Sequence, residues 1–394
     1  MNTNESVVPY SALARLFLKM SLFAFGGPVA HIAMGEDEIV RRRRWLTHEE
    51  YLDMMAATNL IPGPNSTEVM IHVGHKMRGI PGAILAGLCF ITPSFLITLF
   101  LATLYVQYGA LPQVSAMLWG IQPVIIAIIA VVAYRLAPAV IKTRDLIALF
   151  VISLLLMAFS AVDEALIMLL AGLVYALYKT IGGRGMLFAL LPVAAQAAVS
   201  LPVASLNELF WYFLRIGATL FGSGYVLISY IQNDLVNTFG WLTNQQLLDA
   251  IAIGQVTPGP VTTTTAVVGY IIGGIPAAVV ATTAVFLPAF VLVILTAPLI
   301  PRMRRSPFWS ACLSGINAAV LAAISLTTIR LAIAAFHPLP SDSLVIGGFS
   351  PIAIGLFLLY AFLMIRLKMN ATFLIAAGAL IGILAGQIFT HPLF

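Results

Sequence analysis

Charged residues vanish from this chain for long stretches. Residues 79–134 and 250–301 contain no Asp, Glu, Lys or Arg, and each stretch has length for two bilayer crossings, since one spanning helix needs about 20 apolar residues. Further apolar runs of spanning length lie at 187–206, 306–329, 343–365 and 369–394, with shorter ones at 146–162 and 165–178. The pattern predicts an all-α polytopic membrane protein. Two apolar regions are interrupted by a helix breaker with small polar neighbours: "NLIPGPNSTE" at 59–68 and "QVTPGPVTTTT" at 255–265. The runs flanking each Pro-Gly-Pro, 51–61 and 66–75 or 247–256 and 262–272, are too short for ordinary spanning helices and predict paired half-helices.

The interruptions belong to an internal repeat. At an offset of 196, Phe17, Leu18 and Lys19 fall on Phe213, Leu214 and Arg215, Phe25 and Gly26 on Phe221 and Gly222, "WLT" at 45–47 on 241–243, Asp53 on Asp249, and "PGP" at 62–64 on 258–260. At 195 the register continues through "GIP" at 79–81 and 274–276, Pro93 and Pro288, Gly120 and Gly315, and "RLA" at 135–137 and 330–332. The expected organisation is an N-terminal repeat over 1–184, a linker helix over 185–206 and a C-terminal repeat over 207–394.

Composition adds orientation. The chain has 394 residues, 61% hydrophobic and 9% charged, with a formal charge of +5; in such a protein Lys and Arg report topology rather than nucleic acid. Equivalent loops are basic in one copy only. Arg41, Arg42, Arg43 and Arg44, Lys76 and Arg78, Lys142 and Arg144, and Lys179 and Arg184 belong to copy one; Arg302, Arg304, Arg305, Arg366 and Lys368 belong to copy two. A parallel repeat would make equivalent loops alike, so the copies are expected to be inverted about an axis in the membrane plane. The loop at 179–184 should then be cytoplasmic, the loop at 232–246 and the C-terminus external, and the segment at 208–231 should fail to cross at its "FGSG" break. The opening "MNTNESVVPY" shows no basic region or cleavage site of a signal peptide.

Five of the 20 bases lie outside the loops: Arg15, Lys19, Arg135, Arg215 and Arg330. Lys19 with Arg215 and Arg135 with Arg330 are repeat-related pairs. A cation within an apolar segment needs a cavity or a partner; snorkelling to the interface serves equally for Arg15, Arg135 and Arg330, whereas the Gly-rich breaks beside Lys19 and Arg215 point to substrate. Of the acids, Asp53, Asp249 and Glu68 are candidates for proton coupling, with helix capping or pairing to nearby bases as the alternative. At each Pro-Gly-Pro the second half-helix presents its unbonded N–H groups and positive dipole end, joined by Asn65, Ser66 and Thr67 or by the threonines at 262–265. Pro62, Gly63, Pro64, Pro258, Gly259, Pro260, Thr262 and Thr263, with Gly26, Gly27, Gly222, Ser223 and Gly224 at the other breaks, thus form a candidate anion site, since irregular backbone is tolerated in a bilayer only inside protein or along a cavity.

Cys89 and Cys312 sit in apolar segments and suggest neither a disulfide framework nor a metal site; no cofactor is expected. There is no His-Glu-x-x-His and no Gly-x-Ser-x-Gly, so an intramembrane enzyme is disfavoured, and His31, His72 and His75 occur in copy one alone. An anion channel and a carrier for sulfate or an organic acid stay open. A homodimer is compatible with all of these.

"FGGPVAHI" with Trp45, "PGPNST" and "GIPGAILAG", followed by "FGSGYVLI", Trp241, "TPGPVTT" and "GGIPAA", resembles the long, two-domain form of the chromate ion transporter family. The resemblance implies export of chromate from the bacterial cytoplasm across the inner membrane, driven by the proton-motive force, with a relation to sulfate handling. Chromate is a tetrahedral dianion, whose ligands would be hydroxyls, backbone N–H groups and a few cations. Gly27 and Pro28 are matched by Ser223 and Gly224, a departure from symmetry that bears on whether both halves bind equally.

Overall fold

A computed structural model describes residues 8–160, 162–181, 205–222, 224–336 and 348–390. Among them four helices are long and apolar enough to cross a membrane, Asn65–Tyr108, Pro112–Val140, Val261–Thr296 and Pro307–Ala335. Arg184, residues 185–204 of the linker expected over 185–206, Ser223 and the last four residues lie outside the described residues.

Each half opens with a broken helix that folds back. In the first, α1 (Tyr10–Phe23) is followed by Gly26 and Gly27, both at positive φ, and α2 (Pro28–Gly35), continued by a π-helical segment, Glu36–Arg42, returns along it. Residues 19 and 38 would be about 28 Å apart on a continuous helix, yet Lys19 Nζ lies 2.7 Å from Glu38 Oε1. In the second half, α8 (Leu206–Thr219) and α9 (Val226–Tyr230), extended by the π-helical Ile231–Thr238, fold back likewise, with the Tyr212 hydroxyl donating to the Tyr230 carbonyl at 3.1 Å.

The Pro-Gly-Pro segments join further short helices. α3 (His48–Thr58) is started by a capping box between Thr47 and Glu50, and α10 (Asn244–Val256) by one between Thr243 and Gln246. α4 (Asn65–Tyr108) is broken at Arg78 and Gly79, where Gly79 has φ 62° and ψ −152°. A Cβ on Gly74 would overlap the Gly82 carbonyl and Ala86, residues about 12 and 18 Å from it along an unbroken helix, so the two parts of α4 lie side by side. The first part also runs back along α3, because Lys76 Nζ reaches Glu50 Oε1 at 3.6 Å. α11 (Thr264–Thr296) breaks the same way, with Gly274 at φ 67° and ψ −157°. Glycine is required at both turns, since other residues are strained there.

The remaining helices interlock the halves. α5 (Pro112–Val140) packs on α14 (Pro351–Arg366) and α15 (Ala371–Thr390), while α13 (Pro307–Ala335) packs on α6 (Arg144–Phe159) and α7 (Glu164–Ile181); the short α12 (Ile300–Arg305) precedes α13. Gly378, Gly382 and Gly386 recur every fourth residue on α15, and a Cβ on Gly120 would come within 2.6 Å of the Gly382 nitrogen. Small residues are what let helix backbones approach this closely in lipid. Gly120→Leu is expected to break the α5–α15 contact and remove most folded protein, read by size-exclusion chromatography in detergent.

Candidate functional site

The helix breaks of the two halves meet and bond reciprocally. Gly63 N–H donates to the Leu220 carbonyl at 2.7 Å and Gly259 N–H to the Ala24 carbonyl at 3.3 Å; Gly63 and Gly259 are repeat equivalents, as are Ala24 and Leu220. A second exchange involves the helix-borne arginines: Arg135 donates to the Met364 carbonyl at 2.8 Å and Arg330 to the Met157 carbonyl at 3.2 Å.

Between these breaks lies a cavity of about 270 Å³ lined by Pro28, Ile32, Pro64, Asn65, Ser66, Val132, Arg135, Leu136, Gly222, Gly224, Tyr225, Val261 and Thr262. Its wall includes the starts of α2 and α4 and the turn before α11. In α4 the N–H groups of Thr67 and Glu68 bond back to the Pro64 carbonyl, which leaves those of Asn65 and Ser66 as first-turn donors without an intrahelical acceptor. Arg135 is the cation of the lining. Its guanidinium has five N–H groups, of which one serves Met364. Ile32, Val132, Leu136 and Val261 make the rest of the wall apolar, and in such surroundings a fixed charge acts far more strongly than in water. A tetrahedral oxyanion, four oxygens at roughly 30 Å³ each, fits the volume.

The sequence-derived candidates divide. Pro64, Asn65, Ser66, Gly222, Gly224 and Thr262 line the cavity, and a Cβ on Gly27 would touch Val261 and the Tyr225 hydroxyl beside it. Pro62, Gly63, Pro258, Gly259 and Pro260 form the breaks themselves. Lys19 and Arg215 do not line it: Lys19 is paired with Glu38, and Arg215 holds Asp163 at 2.6 Å and Asp234 at 2.7 Å. Glu38 and Asp234 stand 196 apart, so the repeat register contains this pairing. The threonines are less available than expected, because Thr263, Thr264 and Thr265 each donate to the carbonyl three residues back. Asp249 accepts from Tyr105 at 2.9 Å and Gln245 at 3.0 Å, a structural use of the carboxylate. Asp53 lines a separate cavity with Glu50, His72 and Lys76. Thr67 and Glu68 are buried beside the break, and the Thr67 hydroxyl and both Glu68 oxygens have no hydrogen-bond partner.

The two breaks have unlike surroundings. Ser94 and Thr98 on α4 contact Thr263 and Thr257 around the second Pro-Gly-Pro, whereas Ala289 and Val293, their equivalents, pack with Ile61 and Ile71 at the first. His31 bridges the first break, one ring nitrogen 3.2 Å from Ser66 Oγ and the other 3.2 Å from the Ala24 carbonyl.

Comparison with known proteins decides the family. The chromate transporter family matches residues 11–177 and again 207–383. The chain belongs to the chromate transporter family. It is 34% identical over 399 residues to the chromate transport protein of Pseudomonas aeruginosa, covering 96% of this chain and 94% of that protein. It is 30% identical over 389 residues to that of Cupriavidus metallidurans, at the same 96% and 94%, and 31% identical over 338 residues to a probable chromate transport protein of Synechococcus elongatus, at 84% and 86%. No solved structure matches. In this family member each matched segment contributes its Gly-rich break and its Pro-Gly-Pro break to the lining, so the cavity draws its wall from both.

The paired ions of this transporter-family chain support the hairpins. Burial alone would raise the Glu38 carboxyl, but the hydrogen bond and charge of Lys19, with Arg43 and Arg42, hold it below the usual carboxylate range. Since its folded value lies below the unfolded one, its stabilisation is complete above the unfolded value of about 4.3 and is lost as pH falls through the folded value. Arg215→Ala strips Asp234, whose side chain is 10% exposed, of its partner. The expected loss is about 2–3 kcal/mol, seen as a lower Tm in detergent; an unchanged Tm would remove the pair from the account of the hairpin.

Proposed function

We propose that this chain is a secondary active transporter that exports chromate from the bacterial cytoplasm across the inner membrane. Its two repeats, 1–184 and 207–394, are inverted, and the anion binds in the cavity where their breaks meet. The observation carrying this reading is the convergence on one cavity of helix starts from both halves with a single lining arginine, a donor set suited to an oxyanion. Reciprocal bonds between Gly63 and Leu220 and between Gly259 and Ala24 support a two-fold relation between the halves, and the opposite loop charges support an axis in the membrane plane. Contacts of Lys76 with Glu50 and of Arg78 with the Tyr10 ring, 4.3 Å from its centroid, favour re-entrant hairpins that enter and leave by the face bearing the basic loops of copy one. That face is cytoplasmic and the C-terminus external.

Alternating access follows if the hairpins open the cavity to one face at a time, as expected of inverted repeats. An interior-negative potential of 100 mV drives a dianion outward by about 4.6 kcal/mol, or by about 2.3 kcal/mol if one proton leaves with it, so the electrical part of the proton-motive force favours export in either case. Proteoliposomes holding the purified chain should take up chromate saturably, with sulfate as a competitor and a response to an imposed proton gradient. Non-saturable flux indifferent to the gradient would indicate a channel, and preferential sulfate uptake a carrier of different selectivity. Neutralising Lys19 or Arg215, or replacing Pro62 or Pro258, is expected to stop transport by disturbing the hairpins. Tags at the two ends of the chain should be accessible from opposite faces; both on one face would defeat the topology.

A further inference from the structure

We infer that protons reach the central break by a one-sided path through the first half, from the cavity lined by Glu50, Asp53, His72 and Lys76 through His72 to Glu68. This deepens the carrier reading and rests on it.

Three observations carry the path. Glu68 is fully buried, and neither carboxyl oxygen has a hydrogen-bond donor. It stands at the Pro-Gly-Pro itself, since a Cβ on Gly63 would lie 2.7 Å from its carboxyl carbon. His72, four residues on, occupies the same helix face about one turn away, and its Nδ1 is likewise buried without a partner. His72 in turn lines a cavity of about 370 Å³ with Glu50, Asp53, Met54, Ala57, Lys76, Ala297 and Ile300, whose Glu50 and Lys76 side chains are 43% and 51% exposed.

A buried carboxyl without a donor is costly as an anion and acceptable as an acid, and it sits where the helix dipole and the N–H groups of Asn65 and Ser66 attract negative charge. Glu68 and an incoming oxyanion therefore compete for one electrostatic site, and the proton decides between them. With the proton on, the carboxyl is neutral and the anion is accepted; with it off, the carboxylate repels the anion. The proton moves from cavity water to one ring nitrogen of His72 as the other releases its own to Glu68, so no further reactant is needed.

The charged and titratable groups around this path are Glu50 and Asp53 from α3, and His75 and Lys76 beside His72 on α4. Across the break, His31 meets Ser66 and Arg135 lines the anion cavity; the second half contributes Ala297 and Ile300, which do not titrate. In the second repeat Glu68 and His72 become Thr264 and Val268, so the equivalent helix offers no such relay. On the opposite face the proton is exchanged through the anion cavity itself once that cavity opens there, so one crossing of chromate moves a proton with it.

Reconstituted protein with a trapped pH indicator tests the path. Wild type should show proton movement that depends on chromate; Glu68→Gln should lower it about tenfold or more, with partial return in Glu68→Asp. His72→Phe should slow it comparably while chromate–chromate exchange, which needs no net proton movement, stays within about twofold of wild type. Undiminished proton movement in both Glu68→Gln and His72→Phe would overturn the path. If wild type exchanges no chromate, the carrier reading fails instead, and infrared spectroscopy in heavy water still reads the path. A protonated carboxyl band lost in Glu68→Gln should exchange deuterium several-fold more slowly in His72→Phe, and an unchanged rate or a band absent from wild type would refute it.

Discussion

Arg135→Gln is expected to lower chromate flux about 100-fold while leaving the protein folded. The cavity wall is mainly apolar, and Arg135 supplies its lining cation, so its removal leaves a dianion with neutral donors in low-dielectric surroundings. Losing one charge-assisted contact there is worth about 2.7 kcal/mol, or a factor of about 100. Glutamine retains a donor for the Met364 carbonyl, so the α5–α14 contact survives. Arg135→Lys should fall between the two, because an ammonium on a flexible stem lacks the planar fork that can hold Met364 and face the cavity together. Arg330→Gln is the control. Its guanidinium reaches Met157 and, at 3.5 Å, Asn233, and the flux should fall much less. Equal losses at Arg135 and Arg330 would mean that charge at both positions supports the fold rather than the anion, and thermal unfolding of the same variants would separate these.

Gly259→Ala should abolish transport and destabilise the protein by several kcal/mol. Gly259 has φ 92°, a region that costs an L-residue about 1–2 kcal/mol, and an added Cβ would stand 2.6 Å from the Cβ of Ser94. Ser94 is fully buried on α4, so backbone must move, and the bond from Gly259 N–H to the Ala24 carbonyl is lost with it. That bond joins the breaks of the two halves at the cavity edge. A suppressor makes the account specific: Ser94→Gly in the Gly259→Ala background removes the contact atom and should recover part of the stability, leaving the φ strain. No recovery would place the whole cost in the backbone.

Much of this was legible in the sequence because membrane proteins obey a strong local rule: backbone polar groups in lipid must be satisfied within the segment. Apolar run lengths gave the helices, and Pro-Gly-Pro gave the breaks, because proline ends a helix and is well tolerated at the first position of the next one. The choice among cations was not legible. Lys19 and Arg215 sit nearest the glycine breaks in sequence, but a folded-back helix puts Glu38 and Asp234 opposite them and uses their charge. Arg135 is far from every break in sequence, and only the tertiary structure brings it, with Val132 and Leu136 of α5, to the cavity wall. The threonines at 262–265 look like donors in sequence, yet three of them spend their hydroxyls on carbonyls one turn back, a local competition that only backbone geometry reveals.

The sequence by itself determined the apolar spanning runs, the duplication and its loop charges, and the breaks at the Gly-rich and Pro-Gly-Pro segments, because these depend on local propensity, hydropathy and register; the breaks at Gly79 and Gly274 emerged only in the structure. Only the tertiary structure decided which half supplies which side of the cavity, that the halves exchange bonds at Gly63 and Gly259, and that Glu68 stands unpartnered beside the site. Those facts depend on distances between residues more than 100 positions apart, and a linear pattern of hydrophobic and polar side chains contains no term for them.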